Sequence, residues 1–196
     1  MVQSVEGITI STDYQDAFVP KVGRMRPQFS EYEEGLHSLV KGLPNFCDVV
    51  EIGSWAGEST RIFLAHPNVR SIICVDPYDA ILAGDEMAPH GDVKEARFEF
   101  CTQVLAKHPN ASLMQTTSVE AAKILSYRFF PFVYIDGLHK YESVKEDIAA
   151  WLPRVAVGGW LAGHDYHIEG VQKAVNEAFG VPDWVFCDTS WIVRKR

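Results

Sequence analysis

Asp136 and His139 stand three residues apart in YIDGLHK, and His164 and Asp165 are adjacent in LAGHDY. Each pair follows a short apolar run of the kind that forms a buried strand. Imidazole titrates near neutral pH, so His139 is a candidate to take a proton from a substrate. The bland alternatives are a histidine bonded to its own loop and an aspartate capping the next helix. A second group lies earlier. In DVVEIGSWAGEST a strand ends at Glu51 and Ile52, and Gly53 and Gly57 flank a turn through Ser54 into a helix that contains Ser59. Glycine lets backbone approach a ligand and adopts dihedrals that a Cβ forbids. In ICVDPY, Asp76 ends the following strand and precedes Pro77. A carboxylate there can accept both hydroxyls of a ribose. The loop spacing, E-x-G-x-x-x-G, differs from the G-x-G-x-x-G that seats a pyrophosphate on a helix N-terminus. The combination predicts a nucleoside-type ligand without a pyrophosphate, and argues against an NAD-dependent oxidoreductase.

Strand-like and helix-like segments alternate, which predicts an α/β fold with a mainly parallel sheet. Strands are expected at 48–52, 71–75, 112–115, 132–135 and 159–162, with a closing hairpin of 184–187 and 190–193 turning at Asp188 and Thr189. Helices are expected after the glycine loop to about Ala65, up to about Lys107, at 119–125, at 141–152 and around 171–179. The stretch Pro77–Gly91 is irregular and reads as a surface loop or a lid. Residues 1–45 form an extension with one helix, opened by the capping-box pair Ser30 and Glu33 and carrying Tyr32, Leu36, Leu39, Val40 and Leu43 on one face. Residues 46–196 form the ligand-binding domain.

The chain has 196 residues, 47% of them apolar, enough for one domain with a substantial core. Its formal charge of −8 disfavours nucleic acid as a partner, although Lys21, Arg24 and Arg26 make a local basic patch. No apolar run is long enough for a membrane span, and the start of the chain lacks the pattern of a signal peptide, so a cytoplasmic location is expected. Cys47, Cys74, Cys101 and Cys187 form no C-x-x-C pair and are expected to be reduced.

The segments EIGSWAGEST, VDPY, YIDGLHKYESVKEDIAAWLPRVAVGGWLAGHDY and SWIVRK resemble class I S-adenosylmethionine-dependent methyltransferases. The resemblance is to the methyltransferase family 24 type in particular, which is similar to macrolide sugar O-methyltransferases. It runs from Phe46 to Arg196. It implies a Rossmann-like three-layer sandwich whose seven-stranded, mostly parallel sheet has the order 3-2-1-4-5-7-6, strand 7 antiparallel. It also implies that Glu51, Gly53, Ser54, Gly57 and Ser59 line the methionine end of the cofactor, and that Asp76 with Pro77 holds the ribose. Relatives commonly carry an acidic residue before the serine that follows strand three. Here Thr117 stands in that place and Ser118 matches the serine, so a hydroxyl would meet the base edge.

In the metal-dependent relatives, carboxylates at the positions of Asp136 and Asp165 hold magnesium, which would place Asp136 against both cofactor and metal. The position of His164 is usually a carboxylate as well. A histidine there suits manganese better than magnesium. His139 falls where the catechol O-methyltransferase type has its basic lysine, which implies a general base. The implied function is O-methylation of a small hydroxylated metabolite or sugar, assisted by a divalent metal. A homodimer through the extension and a cover over the substrate site are the roles expected of residues 1–45. The alternative is a cofactor- or nucleoside-binding Rossmann-like protein without transferase activity. Nucleic-acid methylation is disfavoured by the charge and by the lack of a D/N-P-P-Y segment.

Overall fold

The computed structural model describes residues 34–81 and 91–196 in full, together with the backbone of residues 2–5, 8–11 and 30–33. Strands β1 (Val2–Val5) and β2 (Ile8–Ser11) pair antiparallel as a separate hairpin, which the sequence did not predict. Helix α1 (Ser30–Lys41) follows. The main sheet then begins with β3 (Cys47–Ile52), α2 (Glu58–Ala65) and β4 (Val69–Val75). Helix α3 runs over Val93–Glu99 and continues as a π-helical stretch over Phe100–Leu105. After it come β5 (Ala111–Met114), α4 (Ser118–Ile124), β6 (Phe130–Ile135) and α5 (Tyr141–Trp151). The last elements are β7 (Val155–Gly163), α6 (Glu169–Phe179), β8 (Trp184–Val185) and β9 (Trp191–Arg194).

The seven strands lie in the order β5-β4-β3-β6-β7-β9-β8. The first five are parallel, and β9 runs antiparallel between β7 and β8. This is the predicted 3-2-1-4-5-7-6 order. Both faces of the sheet are covered, so the central strands are apolar on alternate sides without a polar face. On one side Val49, Phe132 and Tyr134 pack with α1, α2 and the π-helical stretch. On the other Val50, Val133 and Ile135 pack with α4, α5 and α6. Among the described residues no helix is long and apolar enough to cross a membrane.

Leu36, Leu39, Val40 and Leu43 are buried in the first of these cores, so α1 is a layer of the sheet domain and not an appendage. Asn68 seals its end, donating from Nδ2 to Val40 O at 2.6 Å and Leu43 O at 3.0 Å. Of residues 1–45, expected to cover the substrate site, 12–29 lie outside the described residues. So do the patch of Lys21, Arg24 and Arg26, the side chain of Tyr32, and residues 82–90 of the expected lid. Strand β7 begins earlier than its sequence signal, at Val155, and its pairing with β6 jumps from Val155 to Trp160 across Gly158, at φ +78, and Gly159. The hairpin turn is wider than two residues: Phe186 N donates to Ser190 O at 2.8 Å, and Thr189 has φ +70. The four cysteines form no disulfide.

Candidate active site

The carboxyl ends of β4, β3, β6 and β7 are in register, with Ile52 beside Val75 and Ile135, and Ile135 beside Gly163. The ladder continues one residue past the strands. Gly53 N donates to Val75 O at 2.8 Å, Asp136 N to Ile52 O at 2.7 Å, and His164 N to Ile135 O at 3.0 Å. Gly53, Asp76, Asp136 and His164 therefore emerge side by side, where ligands of open α/β sheets bind. Gly53 has φ +83, and a Cβ there would lie 2.1 Å from Asp136 O, so the end of β6 can press against this residue because it is glycine.

The loop after β3 is fixed from below and from the side. Glu51 is fully buried and accepts from Ser59 Oγ at 2.5 Å and from the Thr60 hydroxyl. Burial pushes its pKa up to about 7, against the pull of those two hydroxyls. Glu51 thus sits beneath the loop and holds the first turn of α2. Gly57 precedes α2 at φ +84, and a Cβ there would meet Val104 Cγ2 at 2.5 Å. Its smallness serves the packing of the π-helical stretch. From the side, the Asp76 carboxylate accepts from Trp55 N at 3.0 Å and Tyr78 N at 2.8 Å, and burial raises its pKa. Tyr78 Oη donates to Trp55 O at 2.6 Å, so the two loops are tied together.

These loops border a cleft of about 290 Å³. Gly53, Asp76, Pro77, Thr117, Ser118 and Asp136 all line it. Ser54 and Ser59 instead border a smaller adjoining space of about 90 Å³, shared with Gly53, Asp136 and Asp165. The Thr117 hydroxyl caps α4, accepting from Glu120 N at 3.4 Å, and Ser118 Oγ accepts from Trp151 Nε1 at 2.9 Å. Both hydroxyls expected at the base edge therefore have roles inside the protein.

The four chemical residues cluster at the other end. His139 Nε2 lies 2.8 Å from Asp165 Oδ2, and His164 Nδ1 lies 3.1 Å from the same oxygen. Asp165 adopts φ +57, the left-handed conformation that turns its carboxylate back towards both rings. Burial works against its ionisation, but the bonds from His139 and His164 outweigh it and hold the carboxylate well below the usual range. His164 is 5% exposed. Burial disfavours its charged form, yet Asp165 and Asp136 push its pKa up to about 9, so it stands as a buried cation between two carboxylates. Burial raises the pKa of Asp136, against the opposing charge of His164. Ligand atoms of Asp136, His139 and Asp165 lie within 4.8 Å of one another. The metal-ligating set read from the sequence had His164 in the place that His139 takes here. His164 is instead directed at Asp165, with its Nδ1 3.8 Å from Asp136 Oδ1. His167, two residues past Asp165, lies with Nδ1 3.0 Å from Thr189 Oγ1.

Trp55, Tyr78, Ser143, Glu146 and Asp147 are among the cleft residues that escaped the sequence reading. Trp55 and Tyr78 act through positive φ and backbone contacts, which side-chain patterns do not encode. Asp147 did leave a signal, a carboxylate on the apolar stripe of Val144, Ile148 and Trp151.

A family model described as "Methyltransferase domain" matches residues 50–166. No curated protein sequence matches the chain. Among solved structures, the O-methyltransferase NovP is 19% identical with a TM-score of 0.58, over 86% of this chain and 80% of that one. A TDP-rhamnose 3'-O-methyltransferase of calicheamicin biosynthesis is 17% identical with a TM-score of 0.50, over 81% of this chain and 75% of that one. At these identities the two structures speak for the fold. The family match covers the glycine loop, Asp76, Asp136, His139 and Asp165, and it decides against a binding protein without transferase activity. The chain belongs to this methyltransferase domain family and is an S-adenosylmethionine-dependent enzyme.

Proposed function

We propose that the enzyme methylates a hydroxyl group of a small molecule, with His139 as the general base and Asp165 as the residue that orients it. The observation that carries this reading is the 2.8 Å contact between His139 Nε2 and Asp165 Oδ2 beside the cleft. The donor supplies a methyl group on a sulfonium, passed on by in-line displacement. The residues that fit the donor are Asp76, Gly53 and Asp136, which all line the cleft. An acceptor hydroxyl approaching Asp136 must lose a proton as its oxygen becomes nucleophilic. His139 would take that proton on its imidazole ring, which Asp165 holds through Nε2. The ionised Asp165 stabilises the resulting imidazolium, and the His164 cation keeps Asp165 ionised.

A second reading is favoured by the convergence of Asp136, His139 and Asp165. These three could hold a divalent cation, which would supply Lewis-acid activation of the acceptor oxygen. One imidazole and two carboxylates suit manganese, iron or zinc more than magnesium. Small-molecule acceptors, a cytoplasmic setting and a homodimer complete the proposed assignment.

Calorimetric titration with S-adenosylhomocysteine, with and without magnesium or manganese, tests both readings. The expected result is micromolar binding of the nucleoside by the metal-free protein. Release of S-adenosylhomocysteine in the presence of a panel of hydroxylated compounds then identifies acceptors. Turnover that is abolished by a chelator and restored by manganese would replace the base reading with the metal one. An enzyme that methylates amines and no hydroxyl would refute the choice of acceptor atom.

A further inference from the structure

The cleft is lined by the start of α4, through Ser118 and Val119, and by α5, through Ser143, Glu146 and Asp147. Val75, Pro77, Val119 and Leu138 add apolar surface that suits a flat ring. Beside that surface the cleft carries a buried carboxylate. Asp147 is 7% exposed and lines the cleft, one turn beyond Val144 on the buried side of α5. Asp147 Oδ2 is near Gly137 at the end of β6: a Cβ added at Gly137 would lie 3.7 Å from it, in ordinary contact. The Ser118 hydroxyl lies beside the same carboxyl and bonds to it, while its own oxygen accepts from Trp151 Nε1. Trp151, Ser118 and Asp147 therefore form a chain that fixes the carboxyl rotamer and supplies one of its hydrogen bonds.

A buried acid with one hydrogen bond and apolar neighbours is costly to fold. What it lacks is a donor. Burial pushes its pKa up to about 6, so near neutral pH it is ionised and offers acceptors alone. Among groups on the edge of a purine, an exocyclic amine matches a bare carboxylate, and a carbonyl oxygen at the same place is repelled. Resting on the cofactor reading above, we propose that Asp147 recognises the 6-amino group of the cofactor's adenine and makes the enzyme select adenine over hypoxanthine. Selection then comes from α5, not from the loop after β5, where the Thr117 hydroxyl caps a helix and the Ser118 hydroxyl buttresses Asp147.

The test compares binding of S-adenosylhomocysteine with S-inosylhomocysteine, which carries an oxygen in place of the 6-amino group, by calorimetry. Loss of a hydrogen bond to a charged group should weaken the inosyl compound by about 10- to 100-fold in the wild type. Asp147→Asn is nearly isosteric and can present either an oxygen or an amide N–H. In that variant the preference should collapse to within about threefold, mainly through weaker adenosyl and stronger inosyl binding. Unchanged thermal unfolding of the variant separates this from a folding defect. Equal binding of the two compounds by the wild type, or a preference that survives Asp147→Asn, overturns the assignment and leaves the cofactor reading standing. A wild type that binds neither compound overturns the cofactor reading and the assignment with it.

Discussion

Replacing Gly53 by alanine tests whether the floor of the site is built as described. Two costs arise. The first is the dihedral: at φ +83 a Cβ costs about 1–2 kcal/mol. The second is steric. The new carbon would lie 2.1 Å from Asp136 O and 2.7 Å from Gly137 Cα, both backbone atoms of the neighbouring strand end. Carbon contacts are at ease near 3.5 Å, so β3 and β6 must part by roughly 1 Å or more. Overpacking of this kind costs about 1–3 kcal/mol. The sum is about 2–5 kcal/mol, which for a chain of this size lowers Tm by about 4–20 °C.

Gly158 supplies the control. It has φ +78, but its nearest neighbour would be an Arg194 guanidinium nitrogen at 4.0 Å, so Gly158→Ala bears the dihedral cost alone. Differential scanning calorimetry of both variants isolates the steric part. Gly53→Ala should also lose affinity for S-adenosylhomocysteine, because Asp136 moves with its carbonyl. If Gly53→Ala is no less stable than Gly158→Ala, the carbonyl of Asp136 does not lie over Gly53 and the geometry of the site is wrong.

Asp76→Ala should weaken S-adenosylhomocysteine binding by about 1–3 kcal/mol in calorimetry, the cost of losing hydrogen bonds to a charged acceptor. Unaltered affinity would remove Asp76 from the ribose. His139→Ala should leave that affinity nearly intact while lowering turnover by about 10²–10⁴-fold, the range of general-base catalysis. Loss of cofactor binding or of folding in this variant would make His139 structural. Glu51→Gln should act on stability through pH. The folded pKa of Glu51 is raised from 4.5 to about 7, so its buried charge carries no penalty below 4.5, a growing one between the two values, and the full one above. The variant should therefore gain on the wild type by up to about 3 kcal/mol as pH rises from about 5 to about 8, read as a difference in Tm. A pH-independent difference would show that Glu51 is already neutral or already relieved by its hydroxyl partners.

The sheet was legible because its central parallel strands are dense apolar runs closed by a glycine or an aspartate. VVEI before Gly53 and FVYI before Asp136 are examples. The strand order came from family resemblance, since periodicity alone carries no neighbour information. The site was legible as a set of residues but not as a set of roles. Glu51 and Gly57 were read as ligand-facing, yet one is buried under the loop and the other is small to admit Val104. Neither burial nor the packing of a π-helical stretch can be read from spacing. That Asp165 meets both His139 and His164 has a similar cause. A left-handed turn at Asp165 brings its carboxylate to both rings, and non-glycine residues give little sign of that conformation.

The insertion of β9 between β7 and β8 has a consequence for biosynthesis. The loop that bears Asp165 leans on the hairpin turn, with Tyr166 N donating to Thr189 O at 3.1 Å. Asp188, in that same turn, sits against Gly35 of α1, where a Cβ would come within 2.0 Å of its Oδ1. On the ribosome, residues 34–165 emerge before the turn that braces them. The nascent sheet can assemble early from β3, β4, β5 and β6, but the paired histidines and aspartates gain their final placement when β9 docks. Contacts across so long a stretch of chain form slowly. The placement of the Asp165 loop thus waits on β9, and a chain halted before that strand leaves the loop without its brace.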